Sequence, residues 1–330
     1  MEEKRVRPEA FDVARSMLIL SQFDELCRKA DGLCEVVPLK GISLLRGLYA
    51  KSLDRAVGDI DLLITPAERL GEYIDRLTRH GYAYQFDFMR HQATLERKRK
   101  VALRSKASHL AVDVDLHTAF VTKKFFSRSV EAFNRDALAR CRAMGGPVRQ
   151  MEPIDEWLFL AQHACFHQYS DPKWLRDLDL LARTMSPVRW QELLERAHTY
   201  GFERVAYLTT ATLHALDRAF PHPCPNLRRG WLFRRFTKNY HPQKASSLTR
   251  KLTKLFWEFL FIDRPLARLR ACCQLLLPSP SLLRNIYRTD RWFVVLLLYP
   301  VHLILSLLAI VLFGVIYLAG ALFRGGCPTK

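Results

Sequence analysis

Two aspartates one residue apart are the side chains in this sequence best suited to hold a divalent cation. Asp59 and Asp61 lie in the segment DIDLL, whose apolar residues predict a β-strand. Successive strand side chains point to opposite faces, so the two carboxylates share one face. Their repulsion is unfavourable unless a cation neutralises it, and oxygen ligands suit Mg²⁺ or Mn²⁺. Such ions hold the phosphates of a nucleoside triphosphate and activate an attacking hydroxyl.

A second segment, VDVDLH, offers the third carboxylate that this chemistry needs. Asp113, Asp115 and His117 alternate with apolar residues and share one face of a predicted strand. Alternation does not separate the two aspartates. One DxD segment alone is weak evidence for a nucleotide-binding metal site, since paired acids also occur on solvated faces and in calcium sites. Two such segments in one module favour a metal centre. His117 either orients a metal ligand or is a core histidine bonded to the backbone.

The segment PLKGIS predicts a strand that turns into a helix. There, Gly41 permits close approach of the backbone to a phosphate, and Lys40 supplies positive charge; Ser43 follows in the nucleotide-binding segment. A simple turn is the alternative, since one glycine does not make a glycine-rich loop. Arg55 either reaches the triphosphate or pairs with a neighbouring aspartate on the surface.

His163 and His167 lie one turn apart on a predicted helix, at the spacing of metal ligands. Packing, or contact with a nucleotide base, is favoured over a zinc site, which would need further ligands. Arg176 and Asp177 are adjacent and point to different helix faces. They either bind nucleotide or link the helical part to the preceding module, and the second interpretation is favoured.

The predicted helices and strands that position these residues indicate an α+β fold, in which a mixed module precedes a helical bundle. Periodicity predicts helices at 9–30, 43–50 and 67–80 and strands at 36–39, 60–64 and 111–117. Four bundle helices are predicted at 154–169, 174–184, 190–200 and 205–220, with Pro153, Pro172 and Pro187 in first turns. The expected divisions of the chain are 1–150, 151–220, 221–291 and 292–323.

Composition excludes a disordered chain, a collagen-like chain and a polytopic membrane protein, since 49% of the 330 residues are hydrophobic and 25% are charged. The net charge of +18 implies an anionic partner. Residues 228–291 hold 15 Lys and Arg against three acids. Arginines there are interleaved with aromatic residues, so RNA is one candidate partner, but anionic lipid is favoured. The eight cysteines form no CxxC pair, which indicates reduced thiols.

Residues 292–323 contain no Asp, Glu, Lys or Arg. About 20 apolar residues span a bilayer core, so this stretch predicts a C-terminal transmembrane or membrane-embedded helix. The charged residues at 1–9 argue against a signal peptide. The expected location is therefore the membrane, with a single C-terminal span and the catalytic part in the cytoplasm.

Three short segments and one arginine resemble the uncharacterised nucleotidyltransferase family of the polymerase-β-type superfamily: LKG at 39–41, Arg55, DIDLL at 59–63 and VDLH at 114–117. The resemblance continues at 153–177, which holds His163, His167, Trp174, Arg176 and Asp177. The resemblance covers residues 36–220. It implies a polymerase-β-like αβ catalytic module, with metals on Asp59 and Asp61 and with Asp115, rather than Asp113, as the third carboxylate. The usual Gly-Ser or Gly-Gly pair of the superfamily reads Gly-Ile-Ser here.

The expected function is a two-metal, Mg²⁺- or Mn²⁺-dependent transfer of a nucleoside monophosphate from an NTP to an acceptor at the cytosolic membrane surface. A protein side chain, a membrane-associated glycan or lipid precursor and an RNA end are the candidate acceptors, and a membrane-proximal one is favoured. One alternative is a catalytically inactive membrane-anchored module that binds nucleotide or a partner. Another is a structural scaffold with an incidental acidic cluster.

Overall fold

The computed structural model describes residues 10–85, 99–105, 112–122, 128–217, 219–221, 273, 276–278, 280–287 and 291–324. The mixed part begins with α1 (Ala10–Ala30), β1 (Glu35–Leu39), α2 (Lys40–Arg46), β2 (Asp59–Thr65), a 3₁₀ turn (Ala67–Arg69) and α3 (Leu70–Arg79). It continues with β3 (Tyr82–Tyr84), β4 (Lys100–Ser105), β5 (Asp113–His117), α4 (Arg128–Arg140), β6 (Arg142–Ala143) and β7 (Arg149–Gln150). The helical part contains α5 (Pro153–Phe166), α6 (Pro172–Arg183), α7 (Pro187–Tyr200) and α8 (Glu203–Leu216), and α9 (Pro280–Tyr287) and α10 (Trp292–Arg324) follow.

A five-stranded sheet of order β1-β2-β5-β4-β3 forms the centre of the mixed part. β2 pairs with β1 in antiparallel and with β5 in parallel orientation, and β4 pairs with both β5 and β3 in antiparallel orientation. β5 therefore lies between β2, which carries Asp59 and Asp61, and β4, which carries Lys100 and Arg104. The parallel pairing of β2 and β5 brings the two DxD segments side by side.

Helices α1 and α3 pack against each other and support the sheet. The buried residues of α3 are Leu70, Tyr73, Ile74 and Leu77, which recur at i, i+3, i+4 and i+7 and so form one apolar face. The Tyr73 hydroxyl donates a hydrogen bond of 2.8 Å to the carbonyl of Leu26 on α1. A buried hydroxyl that finds a backbone acceptor avoids the penalty of an unpaired polar group.

The bundle helices begin at the prolines that the sequence indicates. Pro153, Pro172 and Pro187 are the first residues of α5, α6 and α7. Each helix also has a capping side chain in the residue before the proline, so an otherwise unpaired backbone N–H finds an acceptor. The caps are Glu152, Asp171 and Ser186.

The predicted mixed α+β class is confirmed, with one shift that affects the site. α2 begins at Lys40 instead of Ser43, so Lys40 and Gly41 lie within the first helical turn. The buried apolar residues of the mixed part and the helical part belong to one continuous cluster. The two parts on either side of the predicted boundary near residue 150 therefore share one hydrophobic core.

The expected C-terminal membrane span is contradicted. Among the described residues, no helix combines the length with the apolar character that crossing a bilayer requires. The prediction rested on the apolar, uncharged stretch at 292–323. α10 has Pro300 inside it, and the His302 ring contacts the hydroxyls of Tyr287 and Ser306. The membrane location rested on the same stretch and is withdrawn with it. Residues 222–272, including the arginine- and aromatic-rich segment at 228–236, lie outside the described residues.

Candidate metal centre

The strand register places three metal-binding side chains next to one another. On the paired strands β2 and β5, Asp61 lies opposite Asp115 and Leu63 lies opposite His117. One ligand atom from each of Asp61, Asp115 and His117 lies within 4.8 Å of the other two. We call these three side chains the Asp-Asp-His group. Asp61 and His117 are buried and Asp115 is partly exposed, so the group opens to solvent on the Asp115 side.

Asp59 lies beside this group without being one of its three members. It precedes Asp61 by two residues on β2 and is exposed. Loss of solvation raises the pKa of Asp59; the Asp61 and Asp115 carboxylates raise it further, and Lys40 opposes them. Asp59 therefore adds negative charge beside the Asp61 and Asp115 carboxylates, at the exposed edge of the same face.

Asp113, the residue that alternation could not separate from Asp115, has a different environment. Arg104 on β4 binds both oxygens of its carboxylate, with Nε 2.6 Å from Oδ1 and Nη2 3.1 Å from Oδ2. The hydrogen bond from Arg104 lowers the pKa of Asp113. A bidentate guanidinium satisfies a carboxylate well, so Asp113 is held by an arginine while Asp115 faces Asp61.

Two lysines neutralise the carboxylates of the group. Lys40 Nζ lies 2.6 Å from Asp61 Oδ1, and Lys100 Nζ contacts Asp115 Oδ2. Lys40 has a backbone φ of 52°, in the left-handed region that non-glycine residues rarely adopt. Such strain persists only where the surroundings impose it, and here it accompanies an ammonium directed at Asp61. The sequence interpretation found Lys40 but missed Lys100, because Lys100 meets Asp115 only through the pairing of β4 with β5.

His117 supports Asp61 from the neighbouring strand. Its Nε2 lies 2.9 Å from Asp61 Oδ1. Burial raises the pKa of the Asp61 carboxyl, but the charge of Lys40 and the contact with His117 outweigh it and hold that pKa below its usual range. Burial lowers the pKa of His117, with Asp61 opposing the shift. Asp61 is therefore an anion, and a neutral His117 offers one donor and one acceptor nitrogen.

These residues fit a divalent cation. Two carboxylates and an imidazole provide oxygen and nitrogen ligands, with the Asp59 carboxylate adjacent, and carboxylate-rich sets suit Mg²⁺ or Mn²⁺. The two ammonium groups drawn onto Asp61 and Asp115 indicate that the negative charge of the face attracts cations. The site residues that would hold the ion are Asp61, Asp115 and His117, with Asp59 at its open edge.

The structure places two of the predicted nucleotide-binding residues in packing roles. A Cβ at Gly41 would lie 3.1 and 3.2 Å from the two methyl carbons of Val57, so a larger residue here would require Val57 to shift by a few tenths of an ångström. Ser43 is buried and donates a hydrogen bond of 2.5 Å to Glu156 Oε1 on α5. Burial raises the pKa of Glu156 to about 7, and Asp177 adds to the shift while the bond from Ser43 opposes it.

Arg55 lies in a buried ion pair with a residue 122 positions further along the chain. Its Nε and Nη2 lie 2.9 and 2.8 Å from the two oxygens of Asp177 on α6, and Tyr49 donates a third hydrogen bond of 2.9 Å to the same carboxylate. Arg176 bonds Asp54 at 2.8 Å and lies over the Tyr49 ring. These contacts join the bundle to the mixed part, as the favoured interpretation of Arg176 and Asp177 had it.

His163 lies on α5, two turns beyond Glu156, whose carboxylate accepts a hydrogen bond from Ser43 of α2. Burial lowers the pKa of His163 well below the usual range, and the charge of Lys40 adds to the shift. Over the part of the chain described, the metal-binding group includes neither His163 nor His167. The zinc alternative for this helix therefore has no third ligand beside it among those residues.

Paired carboxylates on adjacent strands, with a histidine beside them, form a side-chain group that fits a divalent cation. The family comparison names the class of protein: residues 10–216 match the model of the uncharacterised nucleotidyltransferase family, and the chain belongs to that family. The resemblance seen in the sequence is thereby confirmed. Comparison with curated proteins and with solved structures gave no match. The family match ends at Leu216, the last residue of α8.

Proposed function

We propose that this chain transfers a nucleoside monophosphate from an NTP to an acceptor, with divalent metal ions held by the Asp-Asp-His group and Asp59. The observation that carries the proposal is the parallel register that sets Asp61 beside Asp115, with His117 in the same group. Membership of a nucleotidyltransferase family supports the same reaction class. Asp59, Asp61 and Asp115 are proposed as the catalytic carboxylates.

In this proposal each residue has a separate task. Lys40 would pass from Asp61 to the triphosphate, which carries more negative charge than one carboxylate. Before the metal ion binds, His117 would keep Asp61 oriented through the contact between its Nε2 and Asp61 Oδ1. Lys100 would hold Asp115 in place before substrate binds. Gly41 would contribute by packing on Val57, and Ser43 and Arg55 by positioning helices, since Glu156 and Asp177 already satisfy their polar groups.

The reaction forms a bond between an acceptor oxygen and the α-phosphorus and breaks the bond from that phosphorus to the pyrophosphate oxygen. The acceptor proton leaves to a carboxylate of the site. Two Mg²⁺ or Mn²⁺ ions, when bound, would neutralise charge on the triphosphate and activate the attacking oxygen. The protein contributes fixed carboxylates and ammonium groups that are in position before the substrate arrives, so little reorganisation opposes the reaction.

Label transfer tests this proposal. The full chain is incubated with each of the four α-³²P-labelled NTPs, Mg²⁺ or Mn²⁺, and a cell extract that supplies acceptors. We expect labelled product with the wild type and a loss of at least about 100-fold in Asp61→Asn and Asp115→Asn, the order of magnitude for removing one preorganised charge-stabilising group.

Asp113→Asn is the matched control, since it makes the same chemical change two residues away on the same face of β5. Its carboxylate is bound by Arg104, and we expect activity within a few-fold of the wild type. Equal losses in Asp113→Asn and Asp115→Asn would count against the site assignment, because they would indicate a general effect on β5.

A nucleotide-binding module without turnover is the second candidate, and one observation favours it. Lys40 and Lys100 each contact a carboxylate of the group, so two ammonium ions already neutralise the charge that would bind metal. Such a module would bind NTP with equal affinity in Mg²⁺ and in EDTA and would release no pyrophosphate. Metal-dependent binding together with pyrophosphate release would exclude it.

A further inference from the structure

Three aromatic rings form a cluster where α5 ends and α6 begins. The ring centroids of His163 and His167 lie 4.6 Å apart, and the Trp174 ring lies 5.2 Å from the first and 5.1 Å from the second. His167 is exposed, and His163 and Trp174 are partly buried. We call this cluster the ring platform. The three rings pack against one another, and the exposed His167 leaves one edge of the cluster open to solvent.

A strained turn holds the platform in shape. Gln168 and Tyr169, directly after His167, have backbone φ angles of 57° and 49°, in the left-handed region. Tyr169 is buried, and its hydroxyl lies 2.7 Å from the Thr209 hydroxyl on α8. The turn reverses the chain so that Trp174, in the first turn of α6, meets the end of α5. Two consecutive non-glycine residues in this conformation indicate that the surroundings impose the turn.

The platform is linked through α5 to the lysine proposed to bind the triphosphate. His163 lies two turns beyond Glu156 on α5, and Glu156 accepts a hydrogen bond from Ser43 of α2, the helix that begins at Lys40. Burial and the nearby Lys40 favour its neutral form, so His163 presents an uncharged ring. A neutral aromatic surface beside a phosphate-binding lysine matches the two parts of a nucleotide, which pairs a flat apolar base with a charged tail.

We infer that the ring platform of His163, His167 and Trp174 stacks against a nucleobase of the substrate. This inference rests on the proposed function and adds the binding site for the base. Stacking on aromatic side chains is tolerant of sequence because every base has a π-face. The platform therefore predicts use of several NTPs, with purines bound more tightly than pyrimidines because their rings are larger. The base belongs either to the NTP or to a nucleic-acid acceptor.

Equilibrium titration of the full chain in Mg²⁺ tests the inference with three probes. ATP carries base and triphosphate, inorganic tripolyphosphate carries the charge alone, and a single-stranded oligoadenylate represents an acceptor end. Trp174→Ala and His167→Ala are expected to weaken ATP binding by roughly 5- to 150-fold, the range for losing one base–aromatic stack. Tripolyphosphate binding should stay within two-fold of the wild type in both variants.

Two further variants separate stacking from folding. Trp174→Phe keeps a ring at the position and should retain ATP affinity within a few-fold. His198→Ala makes the histidine-to-alanine change in the last turn of α7, where the ring pairs with Glu203, and should change no affinity. Trp174 packs on the core, so its replacement could alter the fold, and circular dichroism checks the fold of each variant. His167 is exposed, so His167→Ala tests stacking without disturbing the core.

The outcomes are distinguishable. Loss of oligoadenylate affinity with ATP affinity unchanged would support the platform and assign its base to the acceptor. If the wild type binds ATP no more tightly than tripolyphosphate, and the variants alter neither ATP nor oligoadenylate binding, the platform is overturned while the proposed function stands. If the wild type binds neither ATP nor tripolyphosphate, the proposed function fails and the platform fails with it.

Discussion

Replacing Glu156 with glutamine is expected to change how the stability of this protein depends on pH. Glu156 is buried on α5, where its Oε1 accepts the hydrogen bond from Ser43. Burial raises its pKa from 4.5 to about 7. Between these values the folded state binds more protons than the unfolded state, so the free energy of unfolding falls as pH rises. Above about pH 7 the loss is complete, and below about pH 4.5 it is absent.

The size of the effect follows from the shift in pKa. A rise from 4.5 to about 7 corresponds to a loss of about 3 kcal/mol across that interval. A glutamine at 156 does not titrate, so Glu156→Gln should lack this loss whatever constant offset the amide introduces. In a folded region of about 200 residues, 3 kcal/mol corresponds to roughly 6–12 °C in melting temperature.

Thermal unfolding of the full chain at pH 5, 6, 7 and 8 measures this difference. The melting temperature of the wild type relative to Glu156→Gln should fall steadily from pH 5 to pH 8. Glu68→Gln, which makes the same change at an exposed glutamate, is the control and should follow the wild type at every pH. Parallel curves for the wild type and Glu156→Gln would refute the argument, because they would mean that Glu156 ionises in the folded protein as it does in the unfolded chain.

Two further predictions concern packing around the site. Asp177→Ala leaves the buried Arg55 guanidinium without its carboxylate and should lower the free energy of unfolding by about 3–5 kcal/mol. Asp54→Ala removes the more exposed pair with Arg176 and should lower it by less than about 1 kcal/mol. Urea titration measures both values, and equal effects would contradict the buried ion pair between Arg55 and Asp177. Gly41→Ala places a methyl group against Val57, so its cost in free energy of unfolding should be smaller by about 1 kcal/mol in a Val57→Ala background. A double-mutant cycle measures this difference, and additive effects of the two substitutions would contradict the contact.

The strands that carry the site were predictable because their sequences have a local signal. β2 and β5 alternate aspartate with apolar residues, and the bundle helices begin at Pro153, Pro172 and Pro187. Such patterns record which face of an element is buried. The α4 helix was missed, although Val130, Phe133 and Ala137 are buried at the i, i+3 and i+7 spacing of one helix face.

Contacts between distant segments were not predictable from one sequence. The pairing of Arg55 with Asp177 and the bond from Ser43 to Glu156 each join residues more than 100 positions apart, and no local pattern records them. Lys100 was hidden for a related reason, since it meets Asp115 only after β4 pairs with β5. Alternation could not choose between Asp113 and Asp115; the choice depends on Arg104, which lies on the neighbouring strand.

The central claim is that the paired carboxylates of β2 and β5 serve transfer of the α-phosphoryl group of an NTP. Parallel reactions with α-³²P- and γ-³²P-labelled NTP test it most directly, with the full chain, Mg²⁺ and the same source of acceptor. The claim predicts that the α label becomes attached to the acceptor, that the γ label appears in pyrophosphate, and that Asp115→Asn loses both while Asp113→Asn keeps them. A γ label on the acceptor, or nucleotide binding with transfer of neither label, would contradict it.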